Sequence, residues 1–470
     1  MDALSYQQLL LDNQQLREQL AQRDRLIEQL QQAIRELQNR LEEAERAAKR
    51  QAAPFSKNQP KKRPKKPGRK KGDQHGKHAH RPPPEPDKVD EQLDAPLAEQ
   101  CPHCGGAVIE DPERLDQQFQ TDIPRQPIIR EFTIHRGHCQ KCGKRLRGEH
   151  PLQTSNATGA AQSQLGPDAQ AAIVDLNKRA GMSFGKIADT FHNVFGIPIT
   201  RGACAQIVLR GGRKLQPVYE QIKEAILDSD YLTPDETGWR IGGQLAWLHA
   251  WVGDGGATLF AIGPQRNADA LEKIIGLDWS GTMTHDGFSS YERFLNAFHQ
   301  QCVDHALRRA RKLLDKHVGI AQRFPQQVID LLTSALRRRD RLNADDANAD
   351  LRVRVYESYV EQLFDLTASP RHNAENERFA KHLHNHAADW FVFLLDPNVP
   401  ATNHLAEQAL KTPIVNRKVW GGNRTTTGAE AQAILSSVLQ TCKNRAVNAF
   451  TFLHNAFCGV LGNLFTPITA

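Results

Sequence analysis

The sequence predicts a multidomain α+β protein, and three features of the chain lead to that class. The first fifty residues repeat every seven, two pairs of closely spaced cysteines follow a long basic segment, and the middle of the chain changes to short strand-like runs. At 470 residues, the chain is too long for one compact core. Its 39% hydrophobic and 24% charged residues match the averages of soluble proteins. We therefore expect several folded units.

The composition argues against a membrane protein and gives no sign of export. No apolar stretch is long enough to cross a bilayer, and the first residues lack the charged and then apolar order of a secretory signal. We therefore expect a cytoplasmic protein without a membrane partner. Eight cysteines are few for this length. Because four of them form two close pairs, they indicate metal binding rather than disulfides in a reducing compartment.

Residues 1–52 have the heptad pattern of a coiled coil. Apolar positions alternate at steps of four and three residues, with Ile27 and Ile34 in one phase and Leu30 and Leu37 in the other. This combination favours two parallel strands, and a single asparagine in the seam tends to fix their register. The pattern predicts a homodimer. The alternative is one amphipathic helix that packs against the rest of the chain.

Residues 53–95 are basic and rich in proline, which predicts a disordered linker because such a segment cannot form a core. Beside a dimerising helix, its expected partner is the phosphate backbone of DNA, bound without sequence preference. A linker that only aids solubility is the alternative. The candidate DNA contacts are Lys61, Lys62, Arg63, Lys65, Lys66, Arg69, Lys70 and Lys71.

Residues 96–150 contain two Cys-x-x-Cys turns, each followed by a glycine, which is a strong zinc signal. The four thiolates belong to Cys101, Cys104, Cys139 and Cys142. Four thiolates suit tetrahedral Zn²⁺ with no open position, so the site would be structural. We expect strands at 118–121 and 128–135 between the turns, and hence a zinc ribbon. A redox dithiol is the competing interpretation.

Residues 160–228 show the apolar spacing of helices. The order of a helix at 183–195, a short turn and a second helix at 200–209 resembles a helix-turn-helix. In such a motif, Arg201 and Arg210 could reach the major groove of DNA. Helices that only pack ahead of the next domain would give the same pattern.

Residues 229–310 change to a pattern of strands. The expected elements are strands at 231–235, 245–253, 257–262 and 281–286, with a helix at 267–275 before the last of them. This is the element order of the RNase H fold, an α/β architecture in which the first and fourth strands are neighbours. Asp235 and Asp286 should therefore lie close together at one edge of the sheet. Taken singly, each could be an ordinary turn residue.

Residues 311–398 are predicted to be a helical insertion, because so long a stretch is unsuited to a simple connection. Residues 399–470 then complete the core, and Glu407 lies there in a predicted helix at 402–411. An exposed ion pair between Glu407 and Lys411 is the alternative role for this acid. Around these acids, the candidate DNA contacts are His305, Arg308, Arg309, Lys411, Arg417, Lys418 and Arg424.

Asp235, Asp286 and Glu407 are the residue types that nucleases and polynucleotidyl transferases use. Carboxylates on two strands and one later helix can hold two Mg²⁺ ions against a phosphodiester. The three acids are therefore the predicted catalytic residues and magnesium ligands.

The chain resembles transposases of the insertion-sequence-66 family over nearly its whole length. The order of the motifs carries the resemblance: zipper-like helix, basic tether, paired cysteine turns, Asp-Glu-Thr-Gly-Trp, His-Asp-Gly-Phe, Cys-x-x-His and Ala-Glu-Gln-Ala-Leu. The resemblance implies a bacterial, nucleoid-associated DDE transposase. It would use Asp235, Asp286 and Glu407 to cleave and join DNA at the terminal inverted repeats of its element, with accessory proteins of that element as further candidate partners. A DNA-binding regulator or an RNase H-like nuclease derived from a transposase are the alternatives.

Overall fold

The computed structural model describes residues 84–109, 117–121, 123, 126–153 and 164–465, together with scattered residues between 22 and 37. The basic linker contacts from Lys61 to Lys71 lie outside the described residues, as does most of the predicted coiled coil. Contacts divide the chain into two units. One comprises residues 1–55, 130–193 and 197–470, and the other comprises 56–129 and 194–196.

The described residues between 22 and 37 are helical. The predicted seam residues Ile27, Leu30, Ile34 and Leu37 are 51–62% exposed in the single chain. A helix that shows an apolar seam to water is compatible with the heptad prediction.

Both cysteine turns are closed by an equivalent backbone hydrogen bond. Gly105 N–H donates to the Cys101 carbonyl, and Gly143 N–H donates to that of Cys139, each at 2.8 Å. Both glycines have positive φ, as these tight turns require. The predicted strands at 118–121 and 128–135 are wrong. The strands β1 (Arg136–His138) and β2 (Arg145–Arg147) instead flank the second cysteine turn, so that this turn is itself the hairpin connection.

Four helices precede the main sheet: α1 (Pro167–Lys178), α2 (Phe184–Phe195), α3 (Arg201–Lys214) and α4 (Gln216–Leu227). The Thr200 hydroxyl caps α3 by accepting a hydrogen bond from Ala203 N–H at 3.1 Å. The helices α2 and α3 occupy the positions predicted for a helix-turn-helix, and their contact with DNA stays a prediction.

The main sheet has five strands and one helix within it: β3 (Tyr231–Ile241), β4 (Gln244–Gly253), β5 (Thr258–Gly263), α5 (Ala268–Ile274), β6 (Gly281–His285) and β7 (Ala297–Gln301). Their spatial order is β5-β4-β3-β6-β7. The strands β3, β4 and β5 pair antiparallel, whereas β6 runs parallel to both β3 and β7. The first and fourth strands are therefore neighbours, as predicted.

Strand β3 differs from the prediction in its length, because it continues past Asp235 to Ile241. The antiparallel ladder with β4 supports this extension through Gly238 and Trp239. Pairing of β3 with β6 ends much earlier, at Leu232. Pro234 follows, and it has no N–H to donate to a neighbouring strand. Asp235 thus follows the end of the parallel pairing but lies within the strand.

Helices complete the rest of the chain: α6 (Val303–Lys316), α7 (Arg323–Ala344), α8 (Ala349–Ala368), α9 (Ala374–Asn385), α10 (His404–Trp420), α11 (Thr426–Asn444) and α12 (Ala449–Phe457). The stretch from α6 to Ala401 has its own apolar core, which includes Phe324, Phe379 and Phe393. The two ends of the stretch meet, since Val303 N–H donates to the Ala401 carbonyl at 3.0 Å.

Helix α10 packs on β3 and β4 through Ala406, Ala409 and Leu410, which bury Trp239 and Leu248 of the sheet. It extends to Trp420, nine residues beyond the predicted end at 411, and includes the buried Pro413. Gly421, with φ of 81°, ends the helix in the left-handed conformation.

Helix α11 covers the β5 edge of the sheet, and residues near Phe393 pack on β7. At β5, the Ser437 and Thr441 hydroxyls of α11 accept hydrogen bonds from the backbone N–H groups of Phe260 at 2.8 Å and Thr258 at 3.1 Å. At β7, the Gln300 side chain accepts from Phe393 N–H at 2.9 Å, so residues near Phe393 cover that strand. None of the helices in the described part of the chain is long and apolar enough to cross a membrane.

Candidate active site

Asp235 and Asp286 occupy matching positions on adjacent parallel strands. Leu232 of β3 pairs with Met283 of β6, and counting three residues on from each leads to the two aspartates. The pairing of β3 with β6 ends before both aspartates, but because side chains alternate along extended backbone, the equal count places them on the same face of the sheet. Asp235 alternates with Trp239 along β3, whose ring packs against α10. The two aspartates therefore belong to the α10 side of the sheet.

A tight turn positions Asp286 directly after β6. Its carboxylate accepts a hydrogen bond from Phe288 N–H at 3.1 Å, an Asx turn. Gly287 has a φ of 85°, and a Cβ there would come within 3.0 Å of the Gln301 side chain. Both the backbone conformation and the close approach therefore favour glycine after this aspartate.

Glu407 lies in the first turn of α10, on the helix that covers this face of the sheet. Its carboxylate pairs with Arg308 of α6, Oε1 to Nη2, at 2.9 Å. The same guanidinium donates through Nε to Asp304 at 2.9 Å. The His305 ring lies 3.0 Å from Arg308 and 3.9 Å from Glu407. The third predicted ligand is thus neutralised by a cation from a neighbouring helix.

Asp235 has no such cation. Burial is the main reason that the pKa of Asp235 rises to about 7, and the negative charge of Glu236 contributes next. The carboxylates of Asp286 and Glu407 raise the pKa of Asp235 as well. Asp286 and Glu407 are therefore both within electrostatic reach of Asp235, and negative charge accumulates on this face.

The residues present suit divalent cations by their chemistry. Hard oxygen ligands are what Mg²⁺ prefers, and Asp235 is a buried carboxylate whose pKa is raised mainly by burial and further by the neighbouring acids. Beside Glu407, the Asn403 side chain is 1% exposed, and neither its amide oxygen nor its nitrogen has a hydrogen-bond partner. In the described part of the chain, no group of three or more His, Cys, Asp or Glu side chains is already gathered closely enough to hold a metal ion.

Glu236 faces the opposite side of β3 and has a structural role that the sequence did not reveal. Its carboxylate accepts from Arg266 Nε at 2.7 Å and from the Tyr291 hydroxyl at 2.5 Å. The Arg266 guanidinium also lies 4.0 Å from the centre of the Phe288 ring. Arg266 thereby ties the turn after Asp286 to the strand that carries Asp235.

The buried His285 and the half-buried His299 support the Asp286 turn from the same side. His285 Nδ1 accepts from Gly287 N–H at 3.1 Å, so His285 Nε2 carries the proton and donates to His299 Nδ1 at 3.0 Å. His299 Nε2 in turn donates to the Phe294 carbonyl at 3.1 Å. Burial, together with the nearby His299 and His386 rings, lowers the pKa of His285 to about 3, so the His285 ring is neutral at pH 7. No local pattern in the sequence indicates this arrangement.

The basic residues predicted on α10 and after it differ in exposure. Lys411, Lys418 and Arg424 are exposed. Arg417 is half-buried and donates to the Thr237 hydroxyl at 3.3 Å, two residues from Asp235 on the same face of β3. Burial lowers the pKa of Arg417 below its ordinary value. Through its bond to Thr237, Arg417 lies on the same face of the sheet as Asp235.

Two other predicted DNA contacts lie on different helices. Arg201 is exposed at the first residue of α3. The Arg309 guanidinium lies 4.6 Å from the centre of the Phe379 ring, and burial lowers the pKa of Arg309. Arg309 therefore packs against the helical core next to α6.

The cysteine turns favour thiolates. Backbone N–H groups of His103 and Cys104 lower the pKa of the Cys101 thiol. Those of Cys142 and Lys141 lower the pKa of Cys139 in the second turn. Thiolate is the form that binds zinc.

Comparison with known proteins identifies relatives of this chain. Residues 162–431, more than half of the chain, match the model of a family described as "Transposase IS66 family". The chain is 25% identical over 291 residues to the uncharacterized protein y4qI of Sinorhizobium fredii, covering 55% of this chain and 53% of that protein. It is 23% identical over 426 residues to y4hP of the same organism, covering 82% of this chain and 74% of the relative. The chain thus spans about half the length of the first of these relatives.

Proposed function

The chain belongs to the IS66 family of transposases, and from that premise we propose that it binds the terminal inverted repeats of an insertion sequence, cleaves them and joins them to target DNA. The matching register of Asp235 and Asp286 on adjacent parallel strands, with Glu407 on the helix above, carries this proposal. The strand order β5-β4-β3-β6-β7 supports an RNase H-like core.

Asp235, Asp286 and Glu407 are the residues that would hold two Mg²⁺ ions. When bound, the ions would activate the attacking oxygen and stabilise the leaving oxygen of a phosphodiester. The protein's own contribution is to keep the carboxylates fixed. The Asx turn at Asp286 and the Glu236–Arg266 pair behind β3 hold the two strand positions rigidly.

Arg308 would change partners during binding. It neutralises Glu407 in the free protein, and a guanidinium released from that contact can bind a DNA phosphate through two parallel hydrogen bonds. Its neighbour His305 would orient the same group, since its ring is within hydrogen-bonding distance of Arg308. Both residues therefore become available to contact DNA once Arg308 leaves Glu407.

The exposed Lys411, Lys418 and Arg424 would hold the DNA backbone near the acids, with the half-buried Arg417 beside β3. Arg201 on α3 and the basic linker would add further phosphate contacts. Such contacts position the DNA without reading its sequence.

Zinc and a coiled coil would organise the N-terminal part. The lowered pKa values of Cys101 and Cys139 support Zn²⁺ bound by the four predicted thiolates, which a zinc content of one ion per chain would establish. The exposed apolar seam between 27 and 37 supports a homodimer. We further propose that the protein acts in the bacterial cytoplasm at the nucleoid, with accessory proteins of the element as additional partners.

The test is strand cleavage and joining on labelled element-end DNA with Mg²⁺. Asp235→Ala, Asp286→Ala and Glu407→Ala should each abolish both products while leaving DNA binding intact. Glu272→Gln is the matched control, because this exposed carboxylate of α5 is outside the three proposed ligands. Its activity should equal that of the wild type.

The products also separate the rival functions. Cleavage without joined product would indicate an RNase H-like nuclease. Binding to element ends without cleavage, even when the other proteins of the element are supplied, would indicate a DNA-binding regulator. Cleavage that persists in any of the three alanine variants would refute the proposed catalytic triad.

A further inference from the structure

A groove of 270 Å³ lies between α7 and α8, in the helical stretch that separates Asp286 from Glu407. It is lined by Arg338 of α7 and by Arg354, Val355, Ser358, Tyr359 and Gln362 of α8. Two arginines from different helices thus line one groove, and no acidic side chain lines it. Glu357 and Glu361, the acids nearest to these residues on α8, are not among the lining residues.

Neither guanidinium in this α7–α8 groove is engaged. Within the described residues, the side chains of Arg338 and Arg354 have no ion pair or hydrogen bond. The next residue behaves differently, since Arg339 pairs with Asp340 at 2.6 Å and lies 5.9 Å from the centre of the Phe393 ring. Two positive charges that line one groove without an anionic partner attract an anion, so the groove is suited to one.

The neutral groups of the groove also favour an anion. Gln362 Nε2 donates to the Ser358 hydroxyl oxygen at 3.2 Å, which leaves the Ser358 proton available to a ligand. The Tyr359 hydroxyl is already hydrogen-bonded to Ser334 at 2.9 Å. The groove therefore offers mainly donors, which match the oxygens of a phosphate group.

We propose that the α7–α8 groove binds the phosphodiester backbone of double-stranded DNA, with Arg338 and Arg354 each contacting a phosphate. The identity of the duplex rests on the proposed transposase function, whereas the recognition of phosphate rests on the donors of the groove itself. With few acceptors to pair with base edges, the site should bind without sequence preference. It gives the helical stretch a direct role in holding DNA.

The experiment measures the affinity of the full-length protein for labelled duplex DNA by fluorescence anisotropy between 50 and 200 mM salt. The groove variant is Arg338→Gln with Arg354→Gln. The matched control is Arg337→Gln with Arg341→Gln, which removes the same charge from exposed positions of α7 that do not line the groove. Thermal unfolding of both variants checks that they are folded.

We expect the groove variant to bind element-end and unrelated duplexes more weakly by the same factor. The slope of log affinity against log salt should fall by about two, since each lost phosphate contact contributes roughly 0.9. The control should change the slope by less than half as much. Equal slopes for the two variants would overturn the proposed groove while leaving the transposase proposal intact.

The second part of the experiment replaces DNA with inorganic phosphate and nucleotides. Calorimetry measures whether the wild type and the groove variant bind inorganic phosphate or a nucleoside triphosphate. If the groove variant loses this binding but keeps the salt slope of the wild type for DNA, the groove binds a small anion and the DNA role is refuted. The DNA role of the groove would also be refuted if the wild type cleaves element ends and the groove variant binds DNA as tightly as the wild type. Failure of the wild type to bind any DNA would instead contradict the proposed function itself.

Discussion

Asp235 and Glu236 are adjacent residues of β3 whose carboxylates occupy opposite environments. Glu236 is paired with Arg266 and Tyr291 on one face. Asp235 lies on the other face, where burial and neighbouring acids raise its pKa to about 7 from an ordinary value of 3.8. Because the folded protein holds this proton up to about pH 7 whereas the unfolded chain loses it near its ordinary pKa, the ionised Asp235 destabilises the fold fully at pH 8.

We predict that Asp235→Asn stabilises the protein and that Glu236→Gln destabilises it. The asparagine keeps the oxygen that accepts from Glu236 N–H but removes the unfavourable charge, so the free energy of unfolding at pH 8 should rise by about 1–3 kcal/mol. Glu236→Gln leaves Arg266 without its anion and should lower the free energy of unfolding by about 2 kcal/mol. Urea denaturation measures both, and a shift of both variants in the same direction would contradict this assignment.

Lys178 is a buried ammonium without a carboxylate partner. It donates to Gln432 at 2.6 Å and lies 5.2 Å from the centre of the Trp420 ring. Burial lowers the pKa of Lys178 from 10.5 to about 7. Between these values the unfolded chain binds one more proton than the folded protein, so this residue makes stability rise with pH.

Lys178→Met should remove that pH dependence. The free energy of unfolding of the variant minus that of the wild type should fall from pH 7 to pH 10, by up to about 1.4 kcal/mol per pH unit. Urea denaturation at several pH values measures it. The exposed Lys214→Met is the control, and its difference from the wild type should stay constant. A constant difference for Lys178→Met would refute a neutral buried amine.

At the scale of elements, α6 and α10 are joined across the candidate site by Arg308. This arginine bridges Asp304 on its own helix and Glu407 on α10. An ion pair at such an exposed position contributes at most about 1 kcal/mol. It is therefore weak enough to exchange for a divalent cation.

Arg308→Gln should increase the affinity for Mn²⁺, because the guanidinium no longer competes for Glu407. We expect an increase of about fivefold, which corresponds to ~1 kcal/mol. Calorimetric titration of the free protein measures it. Arg311→Gln removes one exposed charge from the same helix and corrects for the general loss of positive charge. An equal gain in both variants would show that Arg308 is not a specific competitor.

The strands and their order could be predicted because they depend on local patterns. Alternating apolar residues and glycine turns mark β3 to β6, and the element order places Asp235 beside Asp286. The extent of β3 and α10 could not be predicted, since tertiary contacts override the local signals at Gly238 and Pro413. The supports of the site were missed for a related reason. Glu236 and Tyr291 are 55 residues apart, and such a pairing leaves no periodic trace in the sequence.

At the scale of the whole molecule, the proposed homodimer would form through the N-terminal helix. The described seam residues Ile27, Leu30, Ile34 and Leu37 expose apolar surface in the single chain, which a second copy can bury. The chain has a mass of 52.7 kDa, so a dimer would double that value.

Leu30→Lys with Ile34→Lys should convert the dimer to a monomer, because two buried seam layers would each receive like charges from both strands. The control is Gln29→Lys with Gln32→Lys, which adds the same charge to exposed positions of the same helix outside the seam. Light scattering coupled to size-exclusion chromatography measures the mass. A wild-type monomer, or a dimer that survives the seam substitutions, would contradict the coiled-coil prediction.

The covered edges of the sheet bear on what happens when copies of the protein crowd together. The edge amides of β5 are taken by hydroxyls of α11, and β7 is shielded by the residues around Phe393. In the described part of the chain, the Thr258 and Phe260 amides at the β5 edge are therefore not free to pair with a strand from another molecule. Copies of the protein at high local concentration are therefore hindered from joining through the β5 edge into a growing β-sheet aggregate. Removing the Ser437 hydroxyl would expose one of those amides and begin to undo this protection.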